Sequence, residues 1–139
     1  MKLSVKSDYA ARAVLGLARH FQSGVAVRVE DLATEQGIPA NYLVQILIEL
    51  KLKQIVKSQR GKEGGYMLAR LPSQISLGDV LRGTEGQVFD SPALNDPHCA
   101  PELREAWKKL QRASEQAADT ITFQQLLDAT ESKGKMYYI

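Results

Sequence analysis

The chain has 139 residues, of which 44% are apolar and 24% charged, and its formal net charge is +2. This length supports one modest core with an appended element, and it excludes a second catalytic domain. The single cysteine excludes an internal disulfide framework, and the apolar runs are too short for a membrane span or a secretory signal. We therefore expect a cytoplasmic protein that does not enter a membrane.

Charge is unevenly distributed along the chain. Residues 1–83 carry 12 basic and 7 acidic side chains, a net charge of +5, whereas residues 84–139 carry 6 basic and 9 acidic ones, a net charge of −3. A polyanionic partner is therefore expected to contact the first part of the chain.

The first predicted helix begins near Ser7, a good N-cap residue that is followed by Asp8 in the first turn. Apolar side chains at helical spacing continue the helix for about four turns towards Gly24. Its N-terminal amides, with Lys6, Ser7 and the hydroxyl of Tyr9, are candidate ligands for a phosphate of the DNA backbone. An ordinary capped helix explains these residues equally well.

Two short helices separated by a tight turn come next. Residues 25–29 predict a short strand with Arg28 near its end, and the helices follow at 30–36 and 40–51. Gly37 stands where a left-handed helix stop is expected, and a proline two residues later opens the second helix. The second helix has a predicted buried stripe of Leu43, Ile46, Leu47 and Leu50.

The opposite face of the second helix carries Asn41, Gln45 and Ile48. Two carboxamides match the hydrogen-bonding edge of adenine, and Ile48, with Val44 at the margin, matches thymine methyl groups in a major groove. Solvated amides and an isoleucine packed elsewhere in the protein would give the same pattern.

A basic hairpin is predicted directly after this helix pair. The strand-like runs 55–59 and 66–69 are joined by a glycine-rich loop over 60–65. Five basic residues occur here without an intervening acid: Lys51, Lys53, Lys57, Arg60 and Lys62. Beside an amide-bearing helix, this loop is typical of a winged helix-turn-helix that contacts phosphate on both sides of a groove.

The remaining sequence predicts three further helices. Ser76 and Asp79 have the spacing of a capping box for a short helix that ends at Gly83. Residues 84–101 contain three prolines and predict a loop, and the longest periodic pattern then runs over 102–120. A short final helix and a tail are expected after it.

The apolar stripe on the helix 102–120 needs a partner. Because residues 1–83 are expected to close a core of their own, the stripe would be exposed on a monomer, where patches of this size are uncommon. A second copy of the chain would cover it, through Leu103, Trp107, Leu110, Ala117 and Ile121. We thus predict a DNA-binding domain over 1–83, a loop over 84–101 and a dimerisation segment over 102–139.

Several motifs together resemble one known family. They are Asp8-Tyr9-Ala10, Gly37-Ile38-Pro39, Tyr42 to Leu47, Arg60-Gly61 with Gly64-Gly65-Tyr66, and Ile75 to Val80. The chain resembles the Rrf2 family of bacterial winged-helix transcription regulators over residues 1–130. The resemblance implies a mainly α fold with a small β-wing, and a homodimer in which the long C-terminal helix crosses between subunits.

From the motifs and the resemblance we predict a sequence-specific regulator, a repressor that reads a palindromic operator in double-stranded DNA. Helix 40–51 would enter the major groove and the loop 60–65 the minor groove. Matching family positions imply that Arg60 enters the minor groove and that Gln45 reads a base. The predicted DNA-binding residues are Ser7, Tyr9, Arg28, Asn41, Tyr42, Gln45, Arg60, Gly61, Lys62 and Gly64.

The loop before the dimer helix departs from the pattern of cluster-binding family members. Those members have three cysteines there and a histidine shortly after, whereas this chain has only Cys99, with Glu102 at the histidine position. A cluster would need ligands such as His98, Asp8 or Asp96, and thiolates are the preferred ligands of iron–sulfur clusters. No cofactor is therefore expected. His98 and Cys99 stay as a candidate redox or metal pair, against the alternative of a loop without such a role.

Two other functions stay open from the sequence. One is a winged-helix protein-interaction module without DNA binding, and the other is a regulator that senses through an iron–sulfur cluster on Cys99. Val44 stands where some relatives have a glutamate that reads cytosine, so the expected operator differs from theirs. No enzyme is predicted, because His20 and His98 form no recognisable triad or metal spacing.

Overall fold

The computed structural model describes residues 2–137, with side chains described as far as residue 130. Its helices and strands, in chain order, are α1 (Val5–Arg19), α2 (Val29–Gln36), α3 (Ala40–Leu52), β1 (Val56–Gln59), β2 (Gly65–Leu68), α4 (Leu77–Glu85), α5 (Pro101–Thr120) and α6 (Phe123–Tyr137). The predicted mainly α fold with a small β-wing is confirmed. None of the helices within the described range is both long and apolar enough to cross a membrane.

Helix α1 lies at the centre of the core and packs against α2, α3, α4 and α6. Its residues Ala10, Ala13, Val14 and Leu17 are almost completely buried. The helix begins earlier than predicted, because Ser4 is the N-cap and its Oγ accepts a hydrogen bond from the Ser7 amide at 3.0 Å. The prediction of Ser7 as N-cap is therefore wrong.

The helix-turn-helix follows the sequence pattern closely. Gly37 adopts the left-handed conformation with φ of 66° and ends α2, and α3 begins directly after Pro39. The predicted stripe of α3 is buried, with relative exposures of 0–2% for Leu43, Ile46, Leu47 and Leu50. Burial of this one stripe leaves the other side of α3 facing outward.

The wing is an antiparallel hairpin in which β1 pairs with β2 from Val56↔Leu68 to Gln59↔Gly65. Val27 adds a single bridge to Tyr66, with both N–H···O distances at 2.8 Å, in place of the strand predicted over 25–29. The strand stays this short because α2 already begins at Val29. Gly65 permits the bridge, since a Cβ there would overlap the Val27 carbonyl.

Helix α4 begins with the predicted capping box, in which Ser76 and Asp79 each accept a hydrogen bond from the other's backbone amide. The helix does not end at Gly83. It continues to Glu85 and is capped by Gly86, which has φ of 82° and donates its N–H to the Arg82 carbonyl. Gly83 stays inside the helix, close to Ile55 and the stem of Lys53.

The last two helices return to the rest of the chain. The amide of Leu77 donates to the Ile121 carbonyl at 2.9 Å, and the amide of Phe123 donates to the Ile75 carbonyl at 3.0 Å. Phe123 is fully buried in the core around α1, and α6 extends beyond the short helix predicted from the sequence. The core is therefore not closed by residues 1–83 alone.

Candidate nucleic-acid interface

The outer face of α3 is solvent-exposed along its length. Asn41 and Gln45 are exposed, and the larger side chains Tyr42, Val44 and Ile48 are 42%, 37% and 43% exposed. Exposed apolar side chains next to carboxamides offer both hydrogen bonds and methyl contacts to base edges. This face has the chemistry that major-groove readout requires.

Helix α1 holds the flank of α3 through two contacts. The rings of Tyr9 and Tyr42 meet edge to face, with centroids 5.6 Å apart at an angle of 84°, and Arg12 lies over the Tyr9 ring. Two turns further along α3, Lys6 Nζ is 2.9 Å from Glu49 Oε1. The aromatic contact fixes the orientation of α3 relative to the core.

The wing presents its basic side chains at the hairpin tip. Gly61 has φ of 103°, and the Gly64 amide donates to the Gly61 carbonyl at 3.0 Å. This turn leaves Arg60 and Lys62 exposed. Lys51 on α3 donates from Nζ to the Ser58 hydroxyl of β1 at 2.8 Å, which ties α3 to the wing.

Arg28 lies where the wing meets the helix-turn-helix. It is the N-cap residue of α2, and its side chain is 67% exposed. A cleft between α2 and the wing is lined by Arg28, Lys62 and Gly64 together with Glu30, which is 3.8 Å from the Arg28 guanidinium. Two cations on the walls of one cleft suit a phosphate, although Glu30 opposes part of their charge.

Ser7 does not belong to this surface, contrary to the prediction. It is only 1% exposed, and its Oγ lies 2.9 Å from the Thr84 hydroxyl and donates to Glu85 at 3.1 Å. Ser4 also donates to Glu85, and these hydrogen bonds, that of Ser4 foremost, hold the pKa of the Glu85 carboxyl below its usual value. A carboxylate thus already lies at the N-terminus of α1, where the sequence suggested a phosphate.

The predicted dimerisation residues, on α5 and at its C-cap Ile121, fall into two groups. Leu103 and Leu110 are 47% and 46% exposed, and Ala117 is exposed with them. Trp107 and Ile121 are partly buried against the rest of the chain. The exposed group forms an apolar stripe that the described part of this chain leaves uncovered.

Helix α5 is also joined to α4 by an ion pair. The Arg82 guanidinium donates two hydrogen bonds to the Asp119 carboxylate, at 2.7 and 2.9 Å. The hydrogen bond from Arg82 is the main cause that lowers the pKa of Asp119. Gly78 permits this approach, because a Cβ there would overlap Asp119.

The residues around Cys99 do not fit an iron–sulfur cluster. Cys99 is the only thiol of the chain, and the Arg104 guanidinium holds its loop by donating to the carbonyls of Asp96 and Cys99. Asp8, the more distant candidate ligand, is paired with Arg12 at 2.8 Å. No group of three or more potential metal ligands forms among the described residues. His98 and Cys99 therefore do not form part of a three-ligand metal site within that part of the chain.

Sequence reasoning missed two residues that border this surface and the residue that caps α1. Glu49 lies one helical turn beyond Gln45, and its spacing gave a signal that it borders the outer face of α3. Arg12 is four residues after Asp8, a spacing typical of a helical ion pair. Ser4 gave no distinguishing signal, because Ser4 and Ser7 are equally suitable caps.

Comparison with known proteins agrees with the geometry. The model of the Rrf2 family, described as an iron-dependent transcriptional regulator, matches residues 3–129. The chain belongs to the Rrf2 family. The resemblance to this family that we drew from the sequence motifs is therefore confirmed. The Rrf2 family is one of transcriptional regulators rather than of enzymes.

Individual Rrf2 relatives match over most of their length. The putative HTH-type transcriptional regulator Rv1287 of Mycobacterium tuberculosis is 39% identical over 127 residues, which cover 88% of this chain and 78% of that protein. The structure of CymR, the global cysteine regulator of B. subtilis, matches with a TM-score of 0.83 and 29% identity over 93% of this chain and 98% of that one. T. potens IscR matches with a TM-score of 0.81 and 34% identity over 99% and 97%. The predicted function of a helix-turn-helix transcriptional regulator is thus confirmed.

Proposed function

We propose that this Rrf2 regulator is a homodimer that represses transcription by binding a palindromic operator, with α3 in the major groove and the wing in the minor groove. The observation that carries the proposal is the exposed carboxamide face of α3 beside the basic wing. Asn41 and Gln45 supply paired donors and acceptors for base edges, and Ile48 lies between them and the end of the helix.

The wing supplies the contacts that carry charge. Lys51, Lys53, Lys57, Arg60 and Lys62 are all exposed along the segment that runs from the end of α3 to the tip of the wing. Lysines and arginines that neutralise phosphates release counterions, which makes binding strong and salt-dependent. Arg60 at the hairpin tip is placed to enter a narrow groove, where the negative potential is enhanced.

The second copy of the chain would cover the exposed stripe of α5. Leu103 and Leu110 are two turns apart on one face. The exposed residues Ala106, Ala113 and Ala117 lie beside them and permit close approach of a partner helix. A two-fold dimer presents two copies of α3, so its operator has two related half-sites. A dimer that occupies both grooves would exclude RNA polymerase from an overlapping promoter. Operator binding would therefore repress transcription, and we place this activity in the cytoplasm.

A selection from random duplexes tests the proposal. Sequences retained by the protein should converge on a palindrome, and binding to it should weaken steeply between 50 and 200 mM salt. Lys57→Gln with Lys62→Gln should flatten the salt dependence by about one unit for each phosphate that is no longer neutralised. Lys108→Gln with Lys109→Gln on α5 removes the same charge and should leave the slope unchanged. Retention of no common sequence would instead support a protein-interaction module.

We also propose that this regulator acts without an iron–sulfur cluster, because one thiol beside a guanidinium-held loop is a poor donor set. Protein purified without oxygen should be colourless and free of iron. Stoichiometric iron with visible absorbance that disappears in Cys99→Ser would show that Cys99 holds a metal group with ligands from elsewhere, including a second copy of the chain.

A further inference from the structure

The recognition helix carries a carboxylate at its edge. Glu49 is the only acid in α3, and it lies one turn beyond Gln45 on the flank that faces α1. Its Oε1 is 2.9 Å from Lys6 Nζ, while Oε2 is buried and lacks a hydrogen-bond partner among the described residues. A carboxylate beside a groove-reading face is repelled by DNA phosphates, so its own charge opposes DNA binding.

The position of Lys6 suggests a second effect of Glu49 on DNA binding. The contacts Tyr9–Tyr42 and Lys6–Glu49 lie along the same antiparallel crossing of α1 and α3, so Lys6 borders the surface that carries Tyr42 and Gln45. Its side chain is 34% exposed, and that of Glu49 is 41% exposed. An unpaired lysine at this border would bind backbone phosphate irrespective of sequence.

We infer that Glu49 is a positioning residue that holds Lys6 away from the DNA backbone and so limits sequence-independent binding. The inference rests on the proposed function. Phosphate contacts strengthen specific and non-specific complexes alike, whereas base contacts separate the two. Withholding one cation from the phosphates therefore lowers the affinity for operator and random DNA alike, while the base contacts that separate the two affinities are unchanged.

A purely structural role for the pair would give a different result. If the Lys6–Glu49 contact only braced α3 against α1, its removal would loosen α3 and weaken binding to operator and random DNA together. If Glu49 restrains Lys6, removal of the carboxylate releases a phosphate ligand, and binding to random DNA becomes stronger. The salt dependence distinguishes these two roles directly, since its slope reports how many phosphates the protein neutralises.

The test measures binding of Glu49→Gln to the selected operator and to a random duplex across a salt series. We expect tighter binding to the operator and to the random duplex, a salt slope steeper by about one unit per chain on both, and a nearly unchanged ratio of operator to random affinity. One additional neutralised phosphate corresponds to a further weakening of roughly 3.5-fold between 50 and 200 mM salt. An unchanged or weaker affinity for random DNA would overturn the inference.

Two further variants locate the effect. In Lys6→Met with Glu49→Gln the tighter binding should disappear, and tighter binding that persisted would show that Lys6 is not its source. Lys6→Met alone should keep the wild-type salt slope, because Lys6 does not contact phosphate while it is paired. A slope reduced by one unit per chain would show that Lys6 already binds DNA, and it would overturn the inference even if Glu49→Gln failed to fold.

The matched control is Glu105→Gln, which removes the same charge from a side chain of α5 that is 67% exposed and lies opposite the apolar stripe. It should change neither affinity nor salt slope. An equal increase in affinity would show that the effect of Glu49→Gln comes only from the change in net charge. Wild-type protein that bound no duplex would overturn the proposed function and this inference together. Wild-type binding with an unaffected Glu49→Gln variant would overturn the inference alone.

Discussion

Helices α3 and α5 both expose apolar side chains to solvent, yet their surroundings differ. Ile48 on α3 is 43% exposed, and Leu103 and Leu110 on α5 are 47% and 46% exposed. Exposure alone therefore does not distinguish a surface for DNA from a surface for a second chain. The distinction comes from the neighbouring side chains.

The outer face of α3 carries carboxamides, and the segment 51–62 at the end of the helix and in the wing has five basic residues and no acid. Helix α5 carries four basic and four acidic residues over 101–120, and alanines lie beside the leucines of its exposed stripe. A net positive, amide-bearing face suits a polyanion, whereas a neutral face with small residues beside its leucines suits another helix. Mutations on the two faces should therefore affect different measurements.

The largest effect is expected from Leu110→Asp on the stripe of α5. An aspartate would place a charge in the interface between copies, so light scattering should show a monomer, or the protein should become insoluble. Operator affinity should fall by about 100-fold or more, since the two half-sites would no longer be bound together. Leu71→Asp is the control, because Leu71 is similarly exposed at 49% but lies outside α5. A dimer that survived Leu110→Asp would remove this stripe from the interface.

Arg60→Ala and Lys62→Ala should weaken DNA binding in different ways without changing the dimer. Arg60→Ala is expected to cost about 1–3 kcal/mol on the operator and to flatten the preference for flanking A·T steps, as for a specific contact. Lys62→Ala should weaken operator and random DNA alike and reduce the salt slope by about one unit per chain. Titrations on operators with and without A·T flanks measure both effects. Identical behaviour of the two variants would contradict the assignment of Arg60 to the minor groove.

Gln45→Ala should act on sequence preference alone. Removal of one carboxamide from the outer face of α3 is expected to relax discrimination at one base pair per half-site, a change of about 1–3 kcal/mol against the wrong base. The salt slope should stay the same, because no phosphate contact is removed. Repeating the selection with this variant shows the relaxed position, and an unaltered consensus would exclude Gln45 from base reading.

The smallest effect concerns the ion pair between α4 and α5, which links the two regions. Because the pKa of Asp119 is lowered in the folded chain, its pairing with Arg82 stabilises the fold above the ordinary carboxyl pKa of 3.8. That contribution is lost as the pH falls through the lower folded-state pKa. Both side chains are more than a third exposed, so it is expected to stay below about 1 kcal/mol. Denaturant unfolding of wild type and Asp119→Asn should differ at pH 7, and the difference should shrink as the pH falls below 3.8, whereas a constant difference would contradict it.

The sequence predicted the elements whose signals are local. The i, i+3, i+4 and i+7 spacing located the buried stripe of α3, and the positive-φ requirement at Gly37 and Gly61 located the helix stop and the wing turn. These signals depend on neighbours within one or two turns. They survive folding because tertiary contacts do not alter them.

The failures involve choices that only tertiary packing makes. Ser4 and Ser7 are both good N-caps, and the burial of Ser7 beside Thr84 decides between them. Gly83 signals a helix end in the same way as Gly86, but it packs inside α4. The pairing of Lys6 with Glu49 joins two helices that are distant in sequence, and no periodicity reports it.

The burial of Phe123 affects how the protein is made. The ribosome delivers α1 first and Phe123 only after all of α5, so the apolar side of α1 stays incompletely covered during most of synthesis. Chains interrupted before Phe123 carry the recognition helix and the wing but lack the residue that completes the core behind them. Premature termination should therefore yield fragments that are cleared by proteolysis rather than short regulators that compete for operators.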